Sequence, residues 1–322
     1  MGAAALQAEP ALPRAELPPD YLVLGRASSE NFPVASRLLP PALRVDLIAL
    51  YGWARLVDEL GDDYPGDRLG ALDEVERQLL WALGEKPPGS EGHAAVAEPP
   101  SALHPLVANI ADAVRRRGLP VEPLTDLVKA NRQDQAVSRY ETFPDLVGYC
   151  KLSANPVGRM VLAMFGMATE DRLAWSDSIC TALQLVEHWQ DVSEDAVVGR
   201  VYLPQEDLGR FGVTVQELTP PPASYVDRGK RGAPGGASAA CRALIAFEAA
   251  RARRMLTEGT PLVRSLRGRL RFAVAGFVAG GHAALDAIAG VDFDIYADTP
   301  RPRLRRFLPH MLSLVALGED RF

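Results

Sequence analysis

Acidic residues recur at helical spacing in two separate stretches of the chain. They are Asp58 and Asp62 in the first stretch and Glu187, Asp191 and Asp195 in the second. Residues four apart are neighbours on a helix surface, so each stretch stacks like charges, which destabilises an isolated helix. A solvated helix face normally interleaves Lys or Arg with its acids, yet none occurs from residue 173 to residue 199. The pattern therefore favours a site where a hard cation, which prefers oxygen ligands, joins the carboxylates.

The first acidic pair ends a helix that we predict over Ala42 to Asp62. This segment is apolar on nearly all sides, which is typical of a buried helix. One arc of it carries Tyr51, Arg55, Asp58 and Asp62. Buried carboxylates cost several kcal/mol each unless they are paired or bound to metal, and Arg55 can neutralise only one of the two. We therefore expect both acids to face an interior site.

An apolar helix predicted over Leu146 to Thr169 is interrupted by the sequence Asn-Pro-Val-Gly at 155–158. Proline removes a backbone donor and clashes with the preceding turn, so a kink is expected there. The kink would either line a cavity or serve packing alone. Tyr149 and Ser153, one turn apart before it, would face the same interior. Arg200, after the second acidic stretch, is either a phosphate ligand or, as we favour, an ordinary surface arginine.

Helical periodicity dominates the chain and no alternating strand pattern appears, so the predicted class is all-α. We expect a flexible tail over residues 1–20 and one domain over 21–318, with flexible loops near 84–100 and 219–238, where Pro and Gly concentrate. The segment Phe272 to Val291 contains a histidine and an aspartate, which favours a packed helix over a membrane span. Its Gly276 and Gly280 would let another helix approach closely.

The overall composition excludes some partners. A net charge of -6 disfavours nucleic acid, whose phosphates need a basic face. Three widely separated cysteines indicate neither a disulfide framework nor a metal knuckle and fit a reducing compartment such as the cytoplasm. Arginines in the helix predicted over Ala239 to Glu258 and in the cluster Arg301 to Arg306 would suit an anionic membrane or a phosphate, although a solvated face explains them better. Peripheral membrane contact is left open, and the sequence predicts no oligomeric state.

Two inward acidic pairs beside an apolar interior suggest that Mg²⁺ bridges them to a diphosphate. Here the chain resembles the squalene/phytoene synthase family of head-to-head prenyl synthases. The motifs that carry the resemblance are Asn31–Pro40 (NFPVASRLLP), Tyr51 with Arg55, Asp58 and Asp62, Tyr149-Cys150, Ser153–Gly158 (SANPVG), Gln184–Asp195 and Gly199–Pro204 (GRVYLP). It covers residues 21–215 well and the C-terminal helices loosely. Two positions depart from the family: Ser28 replaces a diphosphate-binding histidine of several relatives, and Glu187 replaces an asparagine of many.

The resemblance implies a single-domain, terpenoid-synthase-like helical bundle around a central cavity. It also implies roles for individual residues. The Mg²⁺ ligands would be Asp58, Asp62, Asp191 and Asp195, with Glu187 as a further oxygen ligand. The catalytic and substrate-lining residues would be Arg55, Tyr51, Asn31, Phe32, Tyr149, Ser153 and Gln184. His188, on the polar arc of its helix, is our candidate for placing a reacting water.

Within the family, the motifs at 31–36 and 153–158 are most similar to the hydroxysqualene synthase branch of hopanoid biosynthesis. That similarity implies a carbon–oxygen lyase reaction in which presqualene diphosphate and water give hydroxysqualene and diphosphate, without a reductant. One alternative is a squalene, presqualene diphosphate or phytoene-type synthase that condenses two prenyl diphosphates such as farnesyl diphosphate. Another is a non-catalytic helical lipid carrier, which would have no need for two acidic sites.

Overall fold

The structure is a computed structural model that describes residues 17–18, 40–85, 99–219, 236–296 and 304–316. Most of the predicted tail and most of both predicted loops lie outside these ranges. So do Ser28, Asn31, Phe32 and Arg301, which the sequence analysis named.

The described residues form twelve α-helices and one short 3₁₀-helix (Val215–Leu218), and they confirm the all-α class. The helices are α1 (Pro41–Asp62), α2 (Arg68–Leu83), α3 (Pro105–Arg117), α4 (Glu122–Asp134), α5 (Phe143–Ser153), α6 (Asn155–Met164), α7 (Glu170–Val197), α8 (Gln205–Phe211), α9 (Ala239–Glu258), α10 (Pro261–Ser265), α11 (Gly268–Gly290) and α12 (Leu304–Ala316). Within the described ranges, extended pairing is limited to one isolated bridge between Arg139 and Val201.

The helices bury two hydrophobic clusters. The first joins α1, α2, α3 and α4 around Trp53, whose indole nitrogen donates to the carbonyl of Leu124 at 3.2 Å. The second joins α5 and α7 to the helices from α8 to α12. Helix α6 contributes Met160 and Met164 to the first cluster and Leu162 to the second. The two acidic helices, α1 and α7, therefore belong to different clusters, with α6 packed against both.

The predicted interruption before Pro156 is confirmed: α5 ends at Ser153 and α6 begins at Asn155. Proline cannot donate the amide hydrogen that would continue the helix. The buried Asn155 side chain accepts a hydrogen bond from the Thr181 hydroxyl at 2.9 Å, which ties the junction to α7. The break is thus held against the middle of the second acidic helix.

The close approach expected at Gly276 and Gly280 is wrong. A Cβ at either position would meet no atom within 4 Å, whereas one at Gly281 would lie 2.8 Å from side-chain carbons of both Leu183 and Leu256. Successive residues rotate by about 100° around a helix, so the face that packs against α7 and α9 includes position 281 and leaves the other two beside it. The spacing of two glycines did not reveal which face was packed.

Helix α11 meets the length and composition criteria for a membrane span, but 56% of its most apolar window is buried against the rest of the protein. Its buried residues include Leu270, Val278 and Leu285. The predicted packed helix is therefore confirmed. It forms one side of the second hydrophobic cluster.

Helix α9 carries Arg242, Arg251, Arg253 and Arg254, and the solvated face expected for them is wrong for the first three. Arg242 contacts Asp294, Arg251 bonds to Asp207 at 2.9 Å, and Arg253 bonds to Asp286 at 2.6 Å. These partners are far away in the sequence, so the helical wheel of α9 alone did not show them.

Candidate active site

The acidic faces of α1 and α7 approach each other. The pKa of Asp58 is raised to about 6, mainly by burial. Asn131 and Arg55 oppose this rise, and the negative charges of Asp62 and Glu187 contribute to it. The amide nitrogen of Asn131 lies 3.4 Å from Asp58 Oδ1. Because Asp58 and Glu187 belong to different helices, their mutual effect places the two acidic faces in one site.

The second half of the acidic face lies one and two turns further along α7. The pKa of Asp195 is raised to about 7, mainly by burial and also by the charges of Asp191 and Glu187, while Arg200 opposes the rise. Burial also raises the pKa of Asp191, with a smaller contribution from Glu194. Both shifts indicate that nearby positive charge does not offset the cost of burying these carboxylates in their ionised form.

Arg200 connects the two acidic helices. Its Nη2 atom donates to Asp62 Oδ1 at 3.0 Å, across 138 residues of sequence. Burial acts to lower the pKa of Arg200, but Tyr202, Asp62 and Asp134 hold it above its ordinary value. The interpretation of Arg200 as an ordinary surface arginine is therefore wrong. The expected burial of Asp62 is also wrong: its side chain is 51% exposed, because it is the last residue of α1 and lies at the rim of the site.

Asp134, at the end of α4, is an acidic residue of this site that the sequence analysis missed. Its Oδ2 atom accepts a hydrogen bond from the Tyr149 hydroxyl at 2.7 Å, and its Oδ1 atom is buried without a hydrogen-bond partner among the described residues. Burial raises its pKa to about 6, with Tyr149 and Arg200 opposing and Asp62 adding to the increase. The sequence did offer one indication of this residue: Asn131, another polar residue, lies three residues earlier on the same face of α4. A search for pairs of acidic residues does not find an asparagine followed by an aspartate.

Three tyrosines and a histidine form a buried aromatic layer beneath the carboxylates. Its members are Tyr140, Tyr149, His188 and Tyr202. The rings of His188 and Tyr202 stack with centroids 3.7 Å apart, and the histidine is only 6% exposed. Burial, followed by the charge of Arg200, lowers the pKa of His188 to about 3. His188 is therefore neutral near pH 7.

The structure does not place His188 on the open polar arc of α7 that the helical wheel predicted. It lies between Gln184, whose amide nitrogen is 3.4 Å from His188 Nε2, and the ring of Tyr202. The turn after α7 folds back over this flank of the helix and covers it. A helical wheel does not include such a long-range contact.

Below the acidic end lies a cavity of about 440 Å³. It is bordered by Leu47 of α1, by the α5–α6 junction, by α7 and by α11. Its polar lining comes from Ser153, Ser176, Cys180, Gln184, Glu187 and Arg269. Its other lining residues are mainly aliphatic, with Phe165 and Phe277 as the aromatic ones. The kink before Pro156 thus borders a cavity, the first of the two uses expected for it.

Charge decreases along α7 from the acidic end into this cavity. Asp195 and Asp191 are followed inward by Glu187, Gln184 and Cys180, each about one turn from the next. On α1, Tyr51 and Arg55 lie on the same face between Leu47 in the cavity and the acidic pair. The site is therefore charged at one end and apolar at the other.

The acidic residues fit the oxygen-ligand chemistry of Mg²⁺. Asp58 and Asp195 have raised pKa values in one site, which nearby divalent charge would lower. Within the described ranges, no three His, Cys, Asp or Glu side chains form a ready-made metal site. That arrangement is compatible with Mg²⁺, which usually takes one or two carboxylates and completes its shell with water and substrate phosphates.

Known proteins resemble this chain in sequence. A family model described as squalene/phytoene synthase matches residues 25–307. The hydroxysqualene synthase of Sinorhizobium fredii (strain NBRC 101917 / NGR234) is 32% identical over 255 residues, which cover 76% of this chain and 75% of that protein. The 15-cis-phytoene synthase of Synechococcus elongatus (strain ATCC 33912 / PCC 7942 / FACHB-805) is 28% identical over 303 residues, which cover 90% of this chain and 87% of that protein.

The fold is also shared with a solved structure. The crystal structure of squalene synthase HpnC from Alicyclobacillus acidocaldarius matches with a TM-score of 0.70 and 34% identity, over 86% of this chain and 95% of that one. The helical bundle around a central cavity is therefore a terpenoid-synthase fold of the squalene synthase type. With most of its length matched in sequence and in structure, the chain belongs to the squalene/phytoene synthase family.

Proposed function

We propose that this protein is a hydroxysqualene synthase that converts presqualene diphosphate and water to hydroxysqualene and diphosphate, as part of hopanoid biosynthesis. The observation that carries the proposal is the continuity of a charged end with an apolar cavity. A substrate with a diphosphate head and a long hydrocarbon body is likewise charged at one end and apolar along the rest. The hydroxysqualene synthase relatives support the choice within the family.

The charged end would bind the diphosphate. Bound Mg²⁺, held by oxygens of Asp58, Asp62, Glu187, Asp191 and Asp195, would supply positive charge for the departing diphosphate. Arg55 and Arg200 would add positive charge fixed to the protein. Electrostatic groups already in place as charge develops are an effective source of rate enhancement. Arg200, which bonds to Asp62, is well placed to exchange that carboxylate for a substrate oxygen.

The apolar end would protect the carbocation left by the diphosphate. Its aliphatic lining excludes bulk water, and the faces of Phe165 and Phe277 would stabilise positive charge. Burial and the nearby Tyr202 and Asp134 raise the pKa of Tyr149, so its phenol stays protonated and keeps donating to Asp134. This hydrogen bond would hold Tyr149 in place at the boundary between the two ends. Such a reaction is that of a carbon–oxygen lyase and needs no reductant.

A condensing synthase is the second candidate, because phytoene synthases match up to 90% of the chain. Such an enzyme would join two prenyl diphosphates, such as two molecules of farnesyl diphosphate, in the same charged and apolar site. A lipid carrier is the candidate from another class. A carrier has no use for several acids with raised pKa values at one end of its cavity.

Product analysis separates these candidates. Presqualene diphosphate and, separately, farnesyl diphosphate are supplied with and without Mg²⁺ and NADPH, and the products are identified by mass. A C30 alcohol formed from presqualene diphosphate without NADPH supports the proposal. Squalene formed only with NADPH, or a condensation product as the sole product, would refute it, and the absence of turnover favours the carrier.

We further propose that the protein works in the cytoplasm, in peripheral contact with the inner face of the membrane. All three cysteines are free, as suits a reducing compartment. Helix α12 exposes Leu304, Leu308 and Leu312, at 69%, 46% and 66%, along one side. Leucines four residues apart form a stripe that can enter the acyl boundary of a bilayer.

A further inference from the structure

One hydroxyl in the cavity has an unusual environment. The Oγ atom of Ser153 is buried and has no hydrogen-bond partner among the described residues, although Ser153 lines the cavity. Two other polar residues of the lining are engaged: Ser176 bonds to Cys180, and Gln184 lies 3.4 Å from His188. Leaving a buried hydroxyl without a partner is unfavourable, so native structures usually supply one as protein or water.

The backbone beside Ser153 offers a second polar group. In an uninterrupted helix the amide of residue 156 would donate to the carbonyl of Leu152, but Pro156 has no amide hydrogen. The junction between α5 and α6 therefore combines an unpartnered hydroxyl with a carbonyl that lacks its helical donor. An ordered water needs two to four polar partners, and apolar cavities without such groups remain dry. At position 153, the hydroxyl of Ser153 and the carbonyl of Leu152 are the two polar partners for a water, within a largely aliphatic lining.

The position also suits the chemistry. Ser153 lies one helical turn beyond Tyr149, which bonds to Asp134 at the acidic end. One turn corresponds to about 5 to 6 Å along the helix axis. A water at Ser153 would thus lie inside the apolar part, separate from the carboxylates but close to the end where the diphosphate departs.

We propose that Ser153 holds the water that captures the carbocation, an assignment that rests on the proposed function. Departure of the diphosphate breaks a C–O bond and leaves a C30 cation. The oxygen of the held water forms a new C–O bond with that cation, and one proton of the water passes to the departing diphosphate. When no water is held there, the cation instead loses a proton from a neighbouring carbon and becomes a hydrocarbon. Ser153 therefore determines whether the product is an alcohol.

The test compares two side chains of nearly equal size that differ in the hydroxyl. Ser153→Thr and Ser153→Val are incubated with presqualene diphosphate and Mg²⁺, and the alcohol and hydrocarbon products are separated by gas chromatography and mass spectrometry. The Thr variant is expected to keep the wild-type ratio of alcohol to hydrocarbon. The Val variant is expected to lower that ratio about tenfold or more, the effect of losing one hydrogen bond to the reacting water. Diphosphate release, measured in parallel, reports turnover separately from the product ratio.

Ser176→Ala is the matched control, because it removes a cavity hydroxyl that already has a partner. Its product ratio is expected to equal that of the wild type. An unchanged ratio in Ser153→Val, beside a wild type that makes the alcohol, overturns the assignment and leaves the proposed function standing. A wild type that makes no alcohol refutes the proposed function itself. Equal losses in the Thr and Val variants would show that size, and not the hydroxyl, matters at position 153, and would also overturn the assignment.

Discussion

Arg200 is the residue whose role changed most between sequence and structure. From the sequence it was either a phosphate ligand or, as we favoured, an ordinary surface arginine. In the fold it bonds to Asp62 and opposes the raised pKa values of Asp134 and Asp195. The carboxylates themselves were predictable, because their spacing of four survives in any helix. The partners from other parts of the chain, Arg200 and Asp134, were not, since only the fold brings them to the site.

We predict that Arg200→Gln lowers the rate of diphosphate release on the order of 10²-fold, because a guanidinium beside the developing charge is lost. Arg200→Lys is expected to restore only part of the rate, since an ammonium does not reproduce the planar fork of arginine. Stopped assays for released diphosphate measure both. The control is Arg210→Gln, which removes an exposed arginine that stacks on Phe247 outside the site. Equal rates in Arg200→Gln and wild type would exclude a role for Arg200 in catalysis.

Glu248 allows a prediction about pH. It is fully buried beside Arg251, which bonds to Asp207 and stacks on Phe143 at the start of α5. Burial raises the pKa of Glu248 to about 8, Arg251 opposes the rise, and Asp207 adds to it. Between the unfolded value near 4.5 and about 8, the folded protein therefore binds one more proton than the unfolded chain does. The free energy of unfolding must then fall as pH rises through this window.

For this group the expected fall is about 3 kcal/mol between pH 6 and pH 9. In Glu248→Gln the carboxyl group is replaced by an amide, which can still donate a hydrogen bond to Asp207 but does not titrate. Urea unfolding at a series of pH values should therefore show a flatter profile in the variant, which should also be more stable than the wild type at pH 9. A variant with the same pH profile as the wild type would show that Glu248 does not titrate in this range.

At the scale of elements, the helices were predicted well and their packed faces less well. The helix over Ala239 to Glu258 and the break before Pro156 appear where the sequence places them, because periodicity and proline act locally. The close approach on α11 was assigned to the wrong glycines. Which face of an apolar helix is packed depends on its neighbours, and a helix that is apolar nearly all round carries little information about them.

The glycines of α11 give a matched prediction about stability. Gly276→Ala and Gly280→Ala place a methyl group in open space and replace glycine in a helix interior, so each is expected to raise the free energy of unfolding by about 0.5 to 1 kcal/mol. Gly281→Ala is expected to lower it by about 1 to 3 kcal/mol, because the new methyl meets Leu183 and Leu256 at 2.8 Å. Urea unfolding of the three variants measures both effects. The reverse order would contradict the packing described for α11.

At the scale of the whole molecule, the all-α class and the division into a charged and an apolar end follow from the sequence pattern. Two acidic stretches on otherwise apolar helices already implied a charged end and an apolar end of the site. The position of the cavity did not follow, because it depends on α6 packing against two separate hydrophobic clusters. Resemblance to a family supplied the central cavity in advance, and the fold then showed which residues of this chain border it.

The exposed stripe on α12 leads to a prediction about membranes. Leu308→Glu is expected to weaken binding to vesicles that contain anionic lipid about tenfold, because the leucine no longer enters the acyl boundary and a negative charge is added. Leu69→Glu is the matched control, since Leu69 is a leucine of similar exposure, 48% against 46%, on helix α2. Vesicle flotation measures the bound fraction. Equal loss in both variants, or none in either, would exclude α12 as the contact surface.

In the proposed reaction, water at this site captures the carbocation. Presqualene diphosphate is incubated with the protein and Mg²⁺ in H₂¹⁸O, without NADPH, and the C30 products are examined by mass spectrometry. We expect an alcohol that carries one ¹⁸O atom, because the oxygen of the new C–O bond comes from solvent water. An alcohol without the label, or hydrocarbon as the only product, would contradict it.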